Sequence, residues 1–528
     1  MPLKLSEATQ YQLSGTTPQS QSSKTEPELP LKTIQTHQTT PFEYQSPKAL
    51  DPKIKRDGLQ SIHVSAYAVG HLSNDLCAAA WFTYVLYYLQ EVVRLGPTNA
   101  GFAMLSGQIA DGVTTPIVGF ASDKCKTRIG SRAPWYIIGT IIVLPSFLGI
   151  FIYPPFPQSS PEQIAYYIIL PAVFNVGWAF VQISNMAVVN SITFSTQRRD
   201  RLISLRNGFT FVANLTVLSI ALVLFAVMKN PITQFRVLAF LIVAGGTVSS
   251  LFYIFTLREP KLVKEAKQIQ KEFKLQQKGL FREEEKAKKS VLSAHVKQWH
   301  EWFTEGQFYV YGFVYMLVRI AVNVTMSVQP FYLIHVTGFV TTEDNPTPIA
   351  IALTPLVSYI TSLIFSLMFY KPMLQRLRNR FYPLFISIMI ISLGSLPYVF
   401  LNSNPDVRWM VYLLSSIQGV GLAIMLNTAT SLISDVIGKD AESSAFVYGA
   451  YSFFDKVANG IIIFIITSKF NTDPTALRWI IGTIPVFCSI AAFGLTYLGK
   501  VLYSERLARL SIEEKREVPL LETRHDDM

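Results

Sequence analysis

Twelve long apolar runs, each closed by a short polar turn, constrain this chain more than any other feature. A run of about twenty such residues is the length of a helix that crosses the hydrocarbon core of a bilayer. Half of the 528 residues are hydrophobic and 15% are charged. A soluble chain of that length would divide into several domains with more charge. The expected fold is an all-α membrane protein with twelve transmembrane helices. The first six runs lie at about 63–89, 99–122, 134–153, 163–193, 203–227 and 234–257. The second six lie at about 308–335, 348–369, 381–401, 408–436, 444–468 and 477–499. The expected organisation is a tail (1–60), a six-helix bundle (61–257), a charged central loop (258–307), a second six-helix bundle (308–499) and a polar tail (500–528).

Residues 1–60 are rich in Ser, Thr, Gln, Pro and Lys and bury too little apolar area to fold alone. They hold no apolar run, so no cleaved signal peptide is expected and the first span serves as its own insertion signal. The K/E/Q-rich central loop should be helical and solvated. Lys124, Lys126, Arg128 and Arg132, then Arg198, Arg199, Arg201 and Arg206, then Lys371, Arg376, Arg378 and Arg380 flank the even-to-odd turns. With the tails and the central loop, these hold most of the 46 basic residues. The positive-inside rule therefore places both termini and the central loop in the cytoplasm. The net charge of +11 is thus topological, and no nucleic-acid partner is expected. Cys77, Cys125 and Cys488 have no metal or disulfide spacing. There is neither a G-x-x-x-x-G-K-[ST] loop nor a G-x-S-x-G elbow. Neither an ATP-driven pump nor an enzyme is expected, and no metal centre. Residues 517–521 (E-V-P-L-L) resemble an acidic dileucine sorting signal.

Charges inside the runs are the candidate functional residues, because an ionised group at bilayer depth is costly unless it faces protein or an aqueous cavity. Asp75 and Asp111 lie midway along spans 1 and 2. His71 is four residues before Asp75, hence on the same helical face. The two either relay a proton, or His71 is a helix-end histidine satisfied by backbone. Asp111 and Lys456 are opposite charges in spans 2 and 11 that form either a breakable switch or a static staple. Asp455 diverges from Lys456 by about 100° around the helix. Its plausible partner is Arg319 of span 7, with Asn323 one turn further on. Arg319 could instead grip a substrate carboxylate through two hydrogen bonds. Arg206 is either a substrate ligand or one more topological charge. Gln182 and Asn185 in span 4 offer amides to a small polar solute, or glue helices together.

Residues 119–132 (G-F-A-S-D-K-x-x-x-R-I-G-S-R) resemble the loop between spans 2 and 3 of the major facilitator superfamily. That resemblance implies a gating loop in which Asp123 caps and pairs, with Arg128 and Arg132 beside it. D-x-x-x-x-P from Asp111, followed by R-x-G-x-R-x-P-W from Arg128, is similar to the glycoside–pentoside–hexuronide:cation symporter branch. G-H-L-S-N-D-L-C-A-A-A-W-F-T-Y from Gly70, Y-M-L-V-R-I-A-V-N from Tyr315 and A-F-V-Y-G-A-Y-S-F-F-D-K-V-A-N-G from Ala445 resemble a cysteine-importing subgroup of lysosomes and melanosomes. The resemblance implies a major facilitator fold in two six-helix bundles and secondary active transport by alternating access. It implies a monomeric transport unit that carries cysteine, or a related thiol amino acid, into lysosome-type organelles. Asp75, Arg206 and Lys456 match branch positions used for substrate or cation coupling.

Two departures modify this. Sodium-coupled members carry D-x-x-[ND]-D-P in span 2, where this chain has Asp111, Thr114, Thr115 and Pro116. One hard anionic oxygen is missing, so a coupling proton is expected rather than sodium. The branch's sugar-binding carboxylate of span 4 matches Gln182 here. Cation-coupled sugar uptake, lysolipid carriage and a non-transporting receptor or scaffold stand as alternatives.

Overall fold

A computed structural model describes residues 59–280, 299–339, 347–377, 381–437 and 444–517. Among the described residues the secondary structure is helical, apart from one β-bridge between Thr127 and Gly130. Among the described residues, ten helices are long and apolar enough to cross a bilayer. Two further crossings complete the twelve. Span 2 (Pro97–Lys124) is one helix with polar residues along it. Span 1 is broken into Ser61–Val69, Leu72–Ala80 and two π-helical turns, Trp81–Val85 and Tyr88–Val92. The two spans outside the ten are the ones that carry Asp75 and Asp111.

The remaining spans are 3 (Ala133–Phe151), 4 (Pro161–Ile192), 5 (Thr196–Val227), 6 (Pro231–Thr256), 7 (Gly306–His335) and 8 (Ala350–Met368). Span 9 (Phe381–Ser395) ends in a 3₁₀ turn, and spans 10 (Met410–Ile437), 11 (Ser444–Phe470) and 12 (Pro474–Glu517) follow. Polar side chains start several of them. Ser160 accepts from the backbone N–H of Gln163 at 3.2 Å, just before Pro161. Asn230 accepts from that of Thr233 at 3.1 Å, just before Pro231. Both are N-caps followed by a proline that needs no N–H partner. Phe120, Phe240, Phe255 and Phe487 point outward with at least 62% of their surface free, as an apolar belt in lipid requires.

Packing repeats after six spans. Span 1 packs on 5 and 6, 2 on 4, and 3 on 4 and 6; likewise span 7 packs on 11 and 12, 8 on 10, and 9 on 10 and 12. The halves meet through 2 against 11 and 5 against 8, which exchange under the same shift. Glycine permits the closest approaches. A Cβ on Gly460 of span 11 would stand 3.0 Å from Gln108 Cβ of span 2. One on Gly394 of span 9 would stand 2.5 Å from the backbone nitrogen of Gln418 in span 10. Small residues draw membrane helices together in this way.

Several expectations are corrected. Span 1 is not one continuous helix, because Gly70 and His71 interrupt it. Span 5 begins at Thr196 and span 12 runs to Glu517, since a helix need not stop where the bilayer does. The central segment is not wholly solvated. Its helix Glu259–Leu280 lies against span 4 and buries Leu262 and Ala266. Residues 1–58, 281–298 and 518–528, which include most of the sorting-signal match, lie outside the described residues.

Candidate functional site

The break in span 1 builds the first charged group. At Gly70 a Cβ would fall 2.3 Å from Tyr253 Cδ2, so only glycine fits there. The buried carbonyl of Gly70 accepts from the Tyr136 hydroxyl at 2.6 Å. His71 occupies the N-cap position of the helix Leu72–Ala80 without a side-chain capping bond, which puts Asp75 in the first turn. A carboxylate is favoured at that end by the helix dipole. His71 Nδ1 stands 3.0 Å from Asp75 Oδ1, off the line of an aligned hydrogen bond. Thr210 of span 5 donates to Asp75 Oδ2 at 3.1 Å. Both His71 and Asp75 are buried. Arg206, one turn before Thr210, is near enough for its charge to act on His71 and Tyr67.

The second group crosses between the halves. Lys456 Nζ pairs with Asp111 Oδ2, and both side chains are buried or nearly so. Thr115 donates to Asp111 Oδ1 at 3.2 Å, and its hydroxyl oxygen lies 3.5 Å from Lys456 Nζ. The residue that replaces the branch's second aspartate thus serves the ion pair.

The third group lies within the second half. Arg319 Nε donates to Asp455 Oδ2 at 3.1 Å, and Asn459 Nδ2 donates to Asp455 Oδ1 at 2.6 Å. Asn323 is buried one turn beyond Arg319. Under the six-span shift, this pairing of spans 7 and 11 corresponds to that of His71 and Asp75 with Thr210 in spans 1 and 5. Asp111, Lys456 and Arg319 all lie within electrostatic range of Asp455. Asp111 and Asp455 are thus each set beside a cation, which offsets part of their desolvation, whereas Asp75 has an imidazole and a hydroxyl.

Gln182 accepts from Trp178 Nε1 at 2.9 Å, and the Trp178 ring meets His71 edge-on at 6.5 Å between centroids. Its amide oxygen is therefore engaged by tryptophan. In the loop between spans 2 and 3, Arg132 donates to Ser122, and Arg128 is exposed. The side chain of Asp123 lies outside the described residues. Glu259 was not singled out from the sequence, yet its carboxylate accepts from the backbone N–H groups of Ser131, Arg132 and Ala133 at 2.8–2.9 Å. It caps span 3 from a distant segment. Thr210 and Asn459 were also missed, although each follows a chosen residue (Arg206, Asp455) by four and so shares its helical face.

Two pseudo-repeated bundles, with buried carboxylates on spans 1, 2 and 11 and the half-buried Arg319 on span 7, are the build of a membrane transporter. The family model described as MFS/sugar transport protein matches residues 66–469, and the chain belongs to that family of the major facilitator superfamily. It is similar to the human major facilitator superfamily domain-containing protein 12, 32% identical over 434 residues, which span 76% of this chain and 84% of that one. A mouse sodium-dependent lysophosphatidylcholine symporter 1 is 27% identical over 153 residues, 28% of each chain. The xylose transporter XylE from E. coli, in a partially occluded inward-open conformation, superimposes with a TM-score of 0.57 at 12% identity. That match covers 81% of this chain and 97% of that one and shows the fold.

Proposed function

We propose that the protein carries a small polar solute, cysteine or a related thiol amino acid, from the cytoplasm into a lysosome-type organelle. The carrying observation is the Asp111–Lys456 pair, which bridges the halves that must move against each other. A zwitterionic amino acid brings one carboxylate and one ammonium, which can replace a broken pair charge for charge. In this reading Arg319 and Lys456 receive the carboxylate, while Asp75 and Asp111 receive the ammonium or the coupling proton. His71, Arg206, Gln182, Asn323 and Asp455 shape and polarise the same space. Choice of cysteine rests on the resemblance of the runs from Gly70, Tyr315 and Ala445. The basic ends of the spans supply the orientation, with both termini cytoplasmic, and His71 beside Asp75 supports coupling to a proton.

A second reading, sugar transport, is favoured by the family description, against Thr115 and Gln182 at the positions named above. The test is uptake of labelled cysteine, cystine, xylose and lysophosphatidylcholine into vesicles that hold the purified protein, with and without pH and sodium gradients. Cysteine uptake driven by the pH gradient supports the proposal. Sodium-driven uptake of sugar or lysolipid, with none of cysteine, overturns it.

A further inference from the structure

A cavity of about 410 Å³ opens at the basic end of the molecule, between the start of span 3, the end of span 6 and span 4. That volume lies within the range of small-ligand sites. Its floor is apolar and aromatic, with Tyr136, Tyr253, Ile137 and Ile254, while Arg128, Arg258 and Lys261 stand around its rim. Tyr136 and Tyr253 are buried, with ring centroids 4.2 Å apart. The carboxylate in the lining, Glu259, is 4% exposed and already accepts from the three backbone N–H groups at the start of span 3. Its charge is therefore compensated by that helix end. Lys261 lies 4.0 Å from Glu265, but it is 73% exposed and Glu265 38%, and exposed pairs bind weakly. The rim is consequently cationic.

Its height matters as much as its charge. Arg258 comes two residues after span 6 ends at Thr256. Phe252 and Phe255 on the last turn of span 6 are 38% and 71% exposed, and Ile129 of the loop is 50% exposed. The cavity thus opens where headgroups meet hydrocarbon. A soluble anion would use the rim and leave the floor empty. An amphiphile with an anionic head satisfies both, and basic pockets between membrane helices select such lipids.

We propose that this cavity holds an anionic phospholipid, its phosphate among Arg128, Arg258 and Lys261 and its glycerol and upper acyl carbons on the Tyr136–Tyr253 floor. The floor is tied to the span-1 break, because the Tyr136 hydroxyl donates to Gly70 O, the residue before His71. An occupant of the cavity braces the seat of the His71–Asp75 pair.

The test is thermal unfolding of the detergent-purified full chain, titrated with dioctanoyl phosphatidylglycerol, dioctanoyl phosphatidylcholine or inorganic phosphate. Phosphatidylglycerol should raise the melting temperature at concentrations where the other two do not. In Arg128→Gln/Arg258→Gln/Lys261→Gln the midpoint concentration should rise at least about tenfold, the equivalent of about 1.4 kcal/mol. Lys261→Gln alone replaces an exposed side chain and should raise it about threefold, so a folding defect in the triple variant leaves the proposal testable. An unchanged midpoint in both variants overturns it. So does an equal shift with phosphate, which would indicate a soluble-anion site, or with phosphatidylcholine, which would indicate a non-selective apolar one.

Discussion

Lys456 of span 11 pairs with Asp111 of span 2 across the boundary between the two halves, whereas Asp455, its neighbour in sequence, turns to Arg319 inside its own half at 3.1 Å. One helical step thus divides two jobs. On the proposed transport reading, the first pair would break or be replaced when the halves part, and the second would persist as one half moves as a body. Buried pairs suit the first task because a ligand or a proton can compete for either member.

Removal of one member of the cross-half pair should cost more than removal of both. Asp111→Asn or Lys456→Gln alone leaves an uncompensated buried charge, a loss of about 3–5 kcal/mol. The double variant should recover much of that stability. Thermal unfolding of the three purified variants checks the order.

Asp75→Asn should make transport insensitive to a pH gradient, because it removes the carboxylate 3.0 Å from His71 Nδ1. Thr210→Val leaves the carboxylate and deletes one hydrogen bond, an effect of about 1 kcal/mol. It should lower the rate a few-fold and keep the pH dependence. Initial rates at several imposed gradients separate the two.

Arg319→Lys keeps the charge but loses the planar fork that holds Asp455 through Nε. Its KM for the substrate should rise by about tenfold or more, equivalent to at least ~1.4 kcal/mol. Asn459→Leu removes a donor to the same carboxylate and should lower stability more than it changes KM. Concentration dependence of uptake, together with melting curves, gives both quantities.

Gly394→Ala should destabilise the second half without touching a charge. Its Cβ would stand 2.5 Å from the Gln418 backbone nitrogen, a clash that only backbone movement relieves, at about 1–3 kcal/mol. Melting temperature should fall while KM stays near that of the native chain.

Span number and order, and the charged candidates, were legible because lipid imposes a length and an apolarity on each crossing. Helical periodicity alone also turns Asp455 away from Lys456. Two features resisted. The break in span 1 depends on Tyr253 pressing on Gly70 from a span 183 residues later, and no local propensity signals that. Glu259 finds its partners at Ser131–Ala133, through folding that joins distant turns. Thr115 was noted as an absent carboxylate, and its hydrogen bond to Asp111 became visible only with the ion pair in place.

The most direct test is uptake of labelled cysteine into vesicles that hold Asp111→Asn/Lys456→Gln, compared with the native protein and each single variant. The account expects a folded double variant that carries nothing, because the switch between the halves is gone. Uptake at the native rate would contradict it, and would reduce the pair to a staple.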